Sequence, residues 1–268
     1  MLRALKWVER VFYRYCAVVV GVTEGFRHCV ISLGLPLERV VVVPNGVDWE
    51  MFVGAQPNRQ LKQSQPFAGK FVVGYVGNIG LAQRLETMLE AADLLREEPV
   101  AFLVMGEGVE KTRLMELARQ RGLDMVRFLW GAPRSEVPAV LATCDALLVM
   151  LRQDPLFEIT IPSKIYECMV AGKPILCSVG GEAAALVAAS KCGLTVPSSD
   201  GRALADSIRA LMREPQLCRA FGEAGRAWAG AHFPLARLMG TYAKLLEGLA
   251  GHQVCVGVEP ASADPDRI

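Results

Sequence analysis

A lysine and a glutamate three positions apart are the residues of this sequence best suited to chemistry. They lie in the segment Ile161-Pro162-Ser163-Lys164-Ile165-Tyr166-Glu167-Cys168-Met169-Val170-Ala171-Gly172-Lys173-Pro174. Ser163 is a good N-cap residue, while Gly172 and Pro174 terminate a helix, so the segment predicts a helix over 164–171. Residues three apart share one helix face, which puts Lys164 and Glu167 together in the first turn. An ammonium group there opposes the positive end of the helix macrodipole unless an anion neutralises it. A diphosphate would do so. Glu167, one turn deeper, could accept hydrogen bonds from two neighbouring ribose hydroxyls. A surface lysine–glutamate pair fits the same spacing, and the segment alone leaves both readings open.

Two glycine-rich loops could approach the same ligand. Gly74-Tyr75-Val76-Gly77-Asn78-Ile79-Gly80 joins an apolar run to a helix expected near Gln83. Glycines at a strand-to-helix turn let the backbone reach a phosphate, and a helix N-terminus offers unpaired N–H groups. The second loop is Gly106-Glu107-Gly108, where Lys111 stands in place of a third glycine. No acidic residue follows about 20 positions on, as a dinucleotide fingerprint requires, Arg127 being the nearest charge. NAD binding is disfavoured. Taken singly, either loop serves equally as a ligand contact or a tight turn.

Metal and disulfide chemistry find little support. His28, His232 and His252 are far apart, and no metal site is expected. The eight cysteines (Cys16, Cys29, Cys144, Cys168, Cys177, Cys192, Cys218 and Cys255) include no Cys-x-x-Cys pair. Several sit in apolar runs, the pattern of buried reduced thiols in a cytosolic protein. The formal net charge of +1 creates no global field for nucleic acid, and no nucleic-acid partner is expected. With 268 residues, 52% of them hydrophobic, the chain can bury a sizeable core.

The elements that must position these residues alternate between apolar runs and amphipathic stretches. Strands are expected at Ala17–Val22, Val40–Val43, Phe71–Val76, Val100–Met105, Val126–Leu129, Ala146–Met150, Pro174–Cys177 and Leu194–Val196. Helices are expected at Glu24–Leu33 and near 83–97, 109–121, 135–142, 164–171, 201–212, 215–229 and 234–249. The alternation predicts an α/β fold, a doubly wound parallel sheet whose ligands bind at the carboxyl ends of the strands. Val53 to Lys70 reads as a polar linker and the stretch from Gly251 as a disordered tail. Leu5, Val8, Phe12 and Tyr15 recur at helical spacing beside Arg3, Lys6, Arg10 and Arg14. This basic amphipathic helix could lie on a membrane surface or pack on its own domain. The longest apolar run near it, Cys16 to Val22, falls short of the ~20 residues that span a bilayer.

The 161–174 segment closely resembles the nucleotide-sugar site of the family-4 retaining glycosyltransferases. Its Pro-Ser-Lys-x-x-Glu form is similar to the branch that transfers deoxy-aminosugars in O-antigen and capsule assembly. Matches elsewhere keep the family's order: Val22-Thr23-Glu24-Gly25-Phe26, Val43-Pro44-Asn45-Gly46-Val47-Asp48 with Phe52, and Tyr75 to Gly80 with Gln83. Gly106 to Gly108, Phe128 with Gly131, Ala171 to Pro174, Gly180-Gly181-Glu182, Gly193 and Asp200 complete them.

The resemblance implies a GT-B fold: a Rossmann-like C-terminal domain over 71–232, a crossover helix over 233–250, and in 1–52 a remnant of the N-terminal acceptor domain. A UDP-sugar donor and a glycan or lipid-linked acceptor are implied, with retention of configuration, no metal and no cofactor. Lys164 and the backbone N–H groups of Gly77, Asn78, Ile79 and Gly80 would hold the diphosphate, with Ser163 opening the helix. Glu167 would bind the ribose, the loop Gly131–Arg134 would meet the base through its backbone, and Gly180, Gly181 and Glu182 would approach the pyrophosphate or sugar.

Departures from the family pattern qualify this. The carboxylate that contacts the sugar eight residues before Glu167 is replaced by Ile159, with Glu158 one position early. Asn78 and Gln83 stand where many members carry an Arg and a Lys, leaving Lys164 as substitute cation. The acceptor-binding strands and their histidine have no counterpart, so the apolar faces of 1–52 and 234–249 need a partner chain or an oligomer. A split donor-binding subunit is one alternative. A nucleotide-sugar epimerase is another, although the added carboxylates and histidine it requires are not placed. The expected location is the cytoplasm, with peripheral attachment to the inner face of the cell membrane through the first helix.

Overall fold

The computed structural model describes the backbone of residues 2–251 and the side chains of 7–251. The expected tail, with His252 and Cys255, lies outside the described residues. The chain opens with α1 (Leu2–Tyr15), β1 (Val19–Gly21), α2 (Glu24–Ser32) and β2 (Val40–Val42), followed by the short α3 (Trp49–Phe52) and α4 (Arg59–Gln63). A regular alternation follows: β3 (Phe71–Val76), α5 (Glu86–Leu94), β4 (Val100–Met105), α6 (Lys111–Gln120), β5 (Val126–Leu129), α7 (Val137–Thr143) and β6 (Ala146–Met150). It continues through α8 (Pro155–Glu158), α9 (Lys164–Ala171), β7 (Ile175–Ser178), α10 (Gly181–Ser190), β8 (Gly193–Thr195), α11 (Gly201–Arg213), α12 (Pro215–His232) and α13 (Leu235–Ala250).

β3 to β8 form one parallel sheet in the order β5-β4-β3-β6-β7-β8. The chain builds outward from β3 and then crosses back to start β6, so the order reverses between these two strands. That switch point opens a crevice at their carboxyl ends. The strands are nearly all apolar because helices cover both faces. Side chains alternate across the sheet: Val72 and Leu147 join the core with Ile165, Tyr166 and Met169, whereas Val73 and Leu148 join Met88, Leu89, Leu204 and Ile208 on the other face.

The first two strands form a separate parallel pair. Val19 and Val40 pack with Val30 and Leu35 on one side, and Val41 and Val43 pack with Leu238 on the other. The apolar face of α13, expected to need a partner outside the chain, thus finds part of its cover on this pair. Val47 N–H donates to Phe233 O at 2.9 Å and Leu235 N–H to Val47 O at 3.1 Å, tying the two units where α13 begins. Leu235, Met239, Tyr242 and Leu246 remain exposed.

Several elements differ from expectation. The stretch 53–70 is not a loose linker: Phe67 is fully buried, Asn58 caps α4, and Lys62 pairs with Asp145 at 2.5 Å. Its polar composition hid one anchoring aromatic and one ion pair. α10 was not expected, because Gly-Glu-Ala-Ala-Ala-Leu-Val-Ala-Ala-Ser has almost no polar–apolar alternation. α5 begins at Glu86, because Gly80 to Gln83 form a turn and Arg84 takes a left-handed backbone at φ 44°. Among the described cysteines, Cys144, Cys168, Cys177 and Cys192 are buried free thiols, whereas Cys16 and Cys29 are exposed.

Candidate functional site

The site is assembled where β3 and α9 end and begin at the switch point. Leaving β3, Gly77 N–H donates to Met105 O at 2.9 Å and Ile79 N–H to Glu107 O at 2.8 Å. Gly80 N–H donates to the Gln83 side chain at 3.0 Å. The loops after β3 and β4 therefore continue the sheet's pairing past its edge. Their closeness explains the second glycine pair: Gly106 has φ +153°, and a Cβ there would overlap the carbonyl oxygen of Gly77. The expectation that all four N–H groups from Gly77 to Gly80 face a phosphate needs correction, since three are already bonded. Asn78 N–H has no acceptor among the described residues.

α9 presents its charged residues to this loop. Lys164 Nζ is enclosed and has no hydrogen-bond partner among the described residues. It lies 3.9 Å from the centroid of the Tyr75 ring, and a Cβ on Gly77 would come within 2.7 Å of it. Burial pushes its pKa down to about 8, with Cys168 and Glu167 opposing the shift. Glu167 is half-buried; that burial raises its pKa, against the lowering effect of Arg134. Arg134 Nη2 stands 3.2 Å from Glu167 Oε1. Ser163, expected as a capping side chain, has helical dihedrals and makes no cap hydrogen bond. Ile165 N–H and Tyr166 N–H instead bond back to Pro162 O and Ser163 O, so the proline begins the turn.

The remaining predicted residues occupy both flanks. Glu107 accepts from Gly131 N–H and from Lys111 Nζ, each at 2.9 Å, so the Gly131 N–H is not open to a base. Lys111, where a dinucleotide loop would have glycine, also donates to Leu129 O at 2.9 Å. Glu158 is exposed at the end of α8 and lies beside Gly180; its carbonyl oxygen would overlap a Cβ on Gly181, whose φ is +58°. Ile159 instead turns toward Gly25, and its carbonyl accepts the Thr23 hydroxyl at 2.7 Å. Glu182, expected to approach a ligand, accepts the Gly25 N–H at the start of α2. α10 has no side-chain cap among the described residues and begins just past the carboxyl end of β7, so its first N–H groups lack an intrahelical partner on the side of the sheet where the crevice opens.

The structure thus gathers Gly77 to Gly80, Lys164, Glu167 and Arg134 at one crevice, sets Gly180, Gly181 and Glu158 on its rim, and diverts Glu182 to α2. Sequence reasoning missed the Arg134 side chain as partner of Glu167, and Tyr75 beneath Lys164. Neither had a local signal, since the first contact joins the segment after β5 to α9 and the second joins β3 to α9. A cavity of about 300 Å³, lined by Phe71, Asp145 and Lys173 among others, lies at the opposite, amino end of the strands. Its Asp145 is taken up by Lys62 and the Val72 N–H. Among the described residues, no cluster of three or more His, Cys, Asp or Glu could hold a metal ion.

Fold and site together define a doubly wound α/β domain with a cationic crevice at its switch point. The sequence profile of the glycosyl transferases group 1 family matches residues 57–228, and the chain belongs to that family. It is 31% identical over 157 residues to the putative colanic acid biosynthesis glycosyl transferase WcaI of Escherichia coli K12, covering 58% of this chain and 38% of that protein. It is 28% identical over 236 residues to the 2-deoxystreptamine glucosyltransferase of Streptomyces kanamyceticus, covering 84% of this chain and 59% of that protein. Anabaena HepE, crystallised with UDP and glucose, superposes with a TM-score of 0.77 at 21% identity, covering 88% of this chain and 64% of that one. The chain therefore spans less than two thirds of these relatives' lengths, and the HepE likeness carries the GT-B fold alone.

Proposed function

We propose that this chain binds a UDP-sugar and transfers the sugar, with retention of configuration, to a glycan or lipid-linked acceptor of the cell envelope, as a family-4 glycosyltransferase. One observation carries the reading: the enclosed Lys164 ammonium has no acceptor among the described residues, and Glu167 lies on the same face of α9. A diphosphate at Gly77 takes the Lys164 donors, the Asn78 N–H and the amino end of α10. These groups offset the charge growing on the leaving phosphate, without a metal or cofactor. Glu167 accepts the ribose hydroxyls, and Glu158 borders the sugar at Gly180. Relatives point the same way: HepE was crystallised with UDP and glucose, and WcaI is named for colanic acid biosynthesis. The test is a panel of UDP-, GDP- and dTDP-sugars in titration calorimetry, followed by transfer to a lipid extract. Binding to no nucleotide sugar at millimolar concentration ends the idea.

A second reading, a donor-binding subunit that works with a partner chain or at a membrane, draws on α1. Tyr13 packs against the two-stranded unit while Trp7, Phe12 and Tyr15 face outward, with Arg10 and Arg14 also exposed. Apolar residues beside arginines suit an anionic lipid interface. No helix among the described residues is long and apolar enough to cross a membrane. Flotation with phosphatidylglycerol vesicles but not phosphatidylcholine vesicles supports lipid contact; sedimentation as a homo-oligomer without vesicles favours a second copy.

A further inference from the structure

We propose that Tyr75 is a positioning residue for the donor diphosphate: its ring seats the Lys164 ammonium and its hydroxyl holds the glycine loop. The inference rests on the donor reading of Lys164 above. Tyr75 is the fifth residue of β3, fully buried in the core beside Ile79, Met88 and Val104. Packing alone would be met by phenylalanine. The hydroxyl, which needs an acceptor once buried, donates to Asn78 O at 2.6 Å. It therefore restrains the residue of the Gly77–Gly80 loop whose N–H has no acceptor among the described residues.

The ring has a second contact. Lys164 Nζ lies 3.9 Å from its centroid, and no hydrogen-bond acceptor among the described residues relieves the loss of water. The ring's negative face is the compensation available, since a desolvated ammonium gains most from a cation–π contact. The charged groups around it leave this arrangement intact. Glu167, on the same helix, favours the charged form, whereas Cys168 beside it is a buried thiol held protonated. Glu167 turns to Arg134 at 3.2 Å instead of to the lysine. One aromatic side chain thus sets the cation and the loop that share a phosphate, and keeps the ammonium donors uncommitted.

The test uses the full chain with UDP as the probe, comparing wild type, Tyr75→Phe, Tyr75→Leu and Lys164→Met. In the wild type, the Lys164 ε-methylene resonance should be shifted upfield by the ring. Tyr75→Phe should keep that shift and bind UDP about threefold more weakly, having lost one hydrogen bond. Tyr75→Leu should abolish the shift and bind about tenfold more weakly, the scale of a desolvated cation–π contact. Absence of the upfield shift in the wild type overturns the ring's part without any variant having to fold. UDP affinity unchanged in Tyr75→Leu but reduced in Lys164→Met overturns the role of Tyr75 and leaves the donor reading standing. Unchanged affinity in Lys164→Met removes the donor role of the lysine, and that of Tyr75 with it.

Discussion

The carboxylate of Glu182 accepts a hydrogen bond from the backbone N–H of Gly25, 157 positions earlier in the chain. The acid opens α10 yet closes the amino end of α2, one of the four N–H groups that a helix start leaves unpaired. Beside it the Thr23 hydroxyl donates to Ile159 O at 2.7 Å, so both bonds tie the first unit to the rim of the crevice.

Breaking this tie should loosen α2 before it disturbs the large sheet. Glu182→Ala is expected to cost about 1 kcal/mol, the usual value of a lost helix cap, with Glu182→Gln costing less. Hydrogen exchange at Gly25 and Phe26 reads the effect directly. Unchanged protection in Glu182→Ala would show that the bond contributes nothing.

Glu167 tests the donor site itself. Glu167→Ala should weaken UDP binding by about 1–3 kcal/mol, as for hydrogen bonds to a charged acceptor. Arg134→Ala should weaken it less, since Arg134 reaches the ligand through Glu167. Titration calorimetry that finds Glu167→Ala equal to wild type takes this residue out of the site.

Lys164 should trade stability for binding. Burial lowers its pKa from 10.5 to about 8, so the folded state carries a penalty at neutral pH. A shift of that size is on the order of 3 kcal/mol. The sign follows from linkage: the lysine is charged in both states below pH 8, so the penalty is full there. It fades as pH rises toward the unfolded value of 10.5. Lys164→Met should therefore unfold at higher urea than wild type at pH 7, with the gap closing by pH 10. For binding, a diphosphate favours the charged lysine, so UDP affinity should fall as pH rises through about 8 in wild type but not in Lys164→Met. A variant less stable than wild type at pH 7 would contradict this account of the buried charge.

Gly106 carries a steric prediction. A methyl group there would press on the carbonyl of Gly77 and sit on a backbone that side chains avoid. Gly106→Ala should destabilise by about 1–3 kcal/mol, the range of overpacking and local strain. It should also separate the two loops and so weaken UDP binding. A urea midpoint equal to wild type would mean the loops can part without cost.

The large sheet was legible because strands covered on both faces read as unbroken Val, Ile and Leu runs, and β3 to β6 fall on the predicted spans. α9 was legible for a different reason: Gly172, at φ +68°, is the left-handed terminator its sequence announces. α10 was not, since an alanine-rich helix has no periodic stripe. Nor was the packing of 53–70, which depends on Phe67 finding the core and Lys62 finding Asp145.

Within the crevice the division is similar. Residue types and spacing along the chain determined that Lys164 and Glu167 share a helix face and that glycine loops end the first strands, because those relations span one turn or one strand. Tertiary structure alone decided that three of the four loop N–H groups pair internally and that Arg134 meets Glu167. It also decided that Glu182 faces Gly25 and that Tyr75 lies under Lys164. The reason is distance: apart from the local Gly80–Gln83 bond, these contacts join segments that only the pairing of β3 with β4, the packing of α9 on the sheet and the docking of α2 bring within a few ångströms.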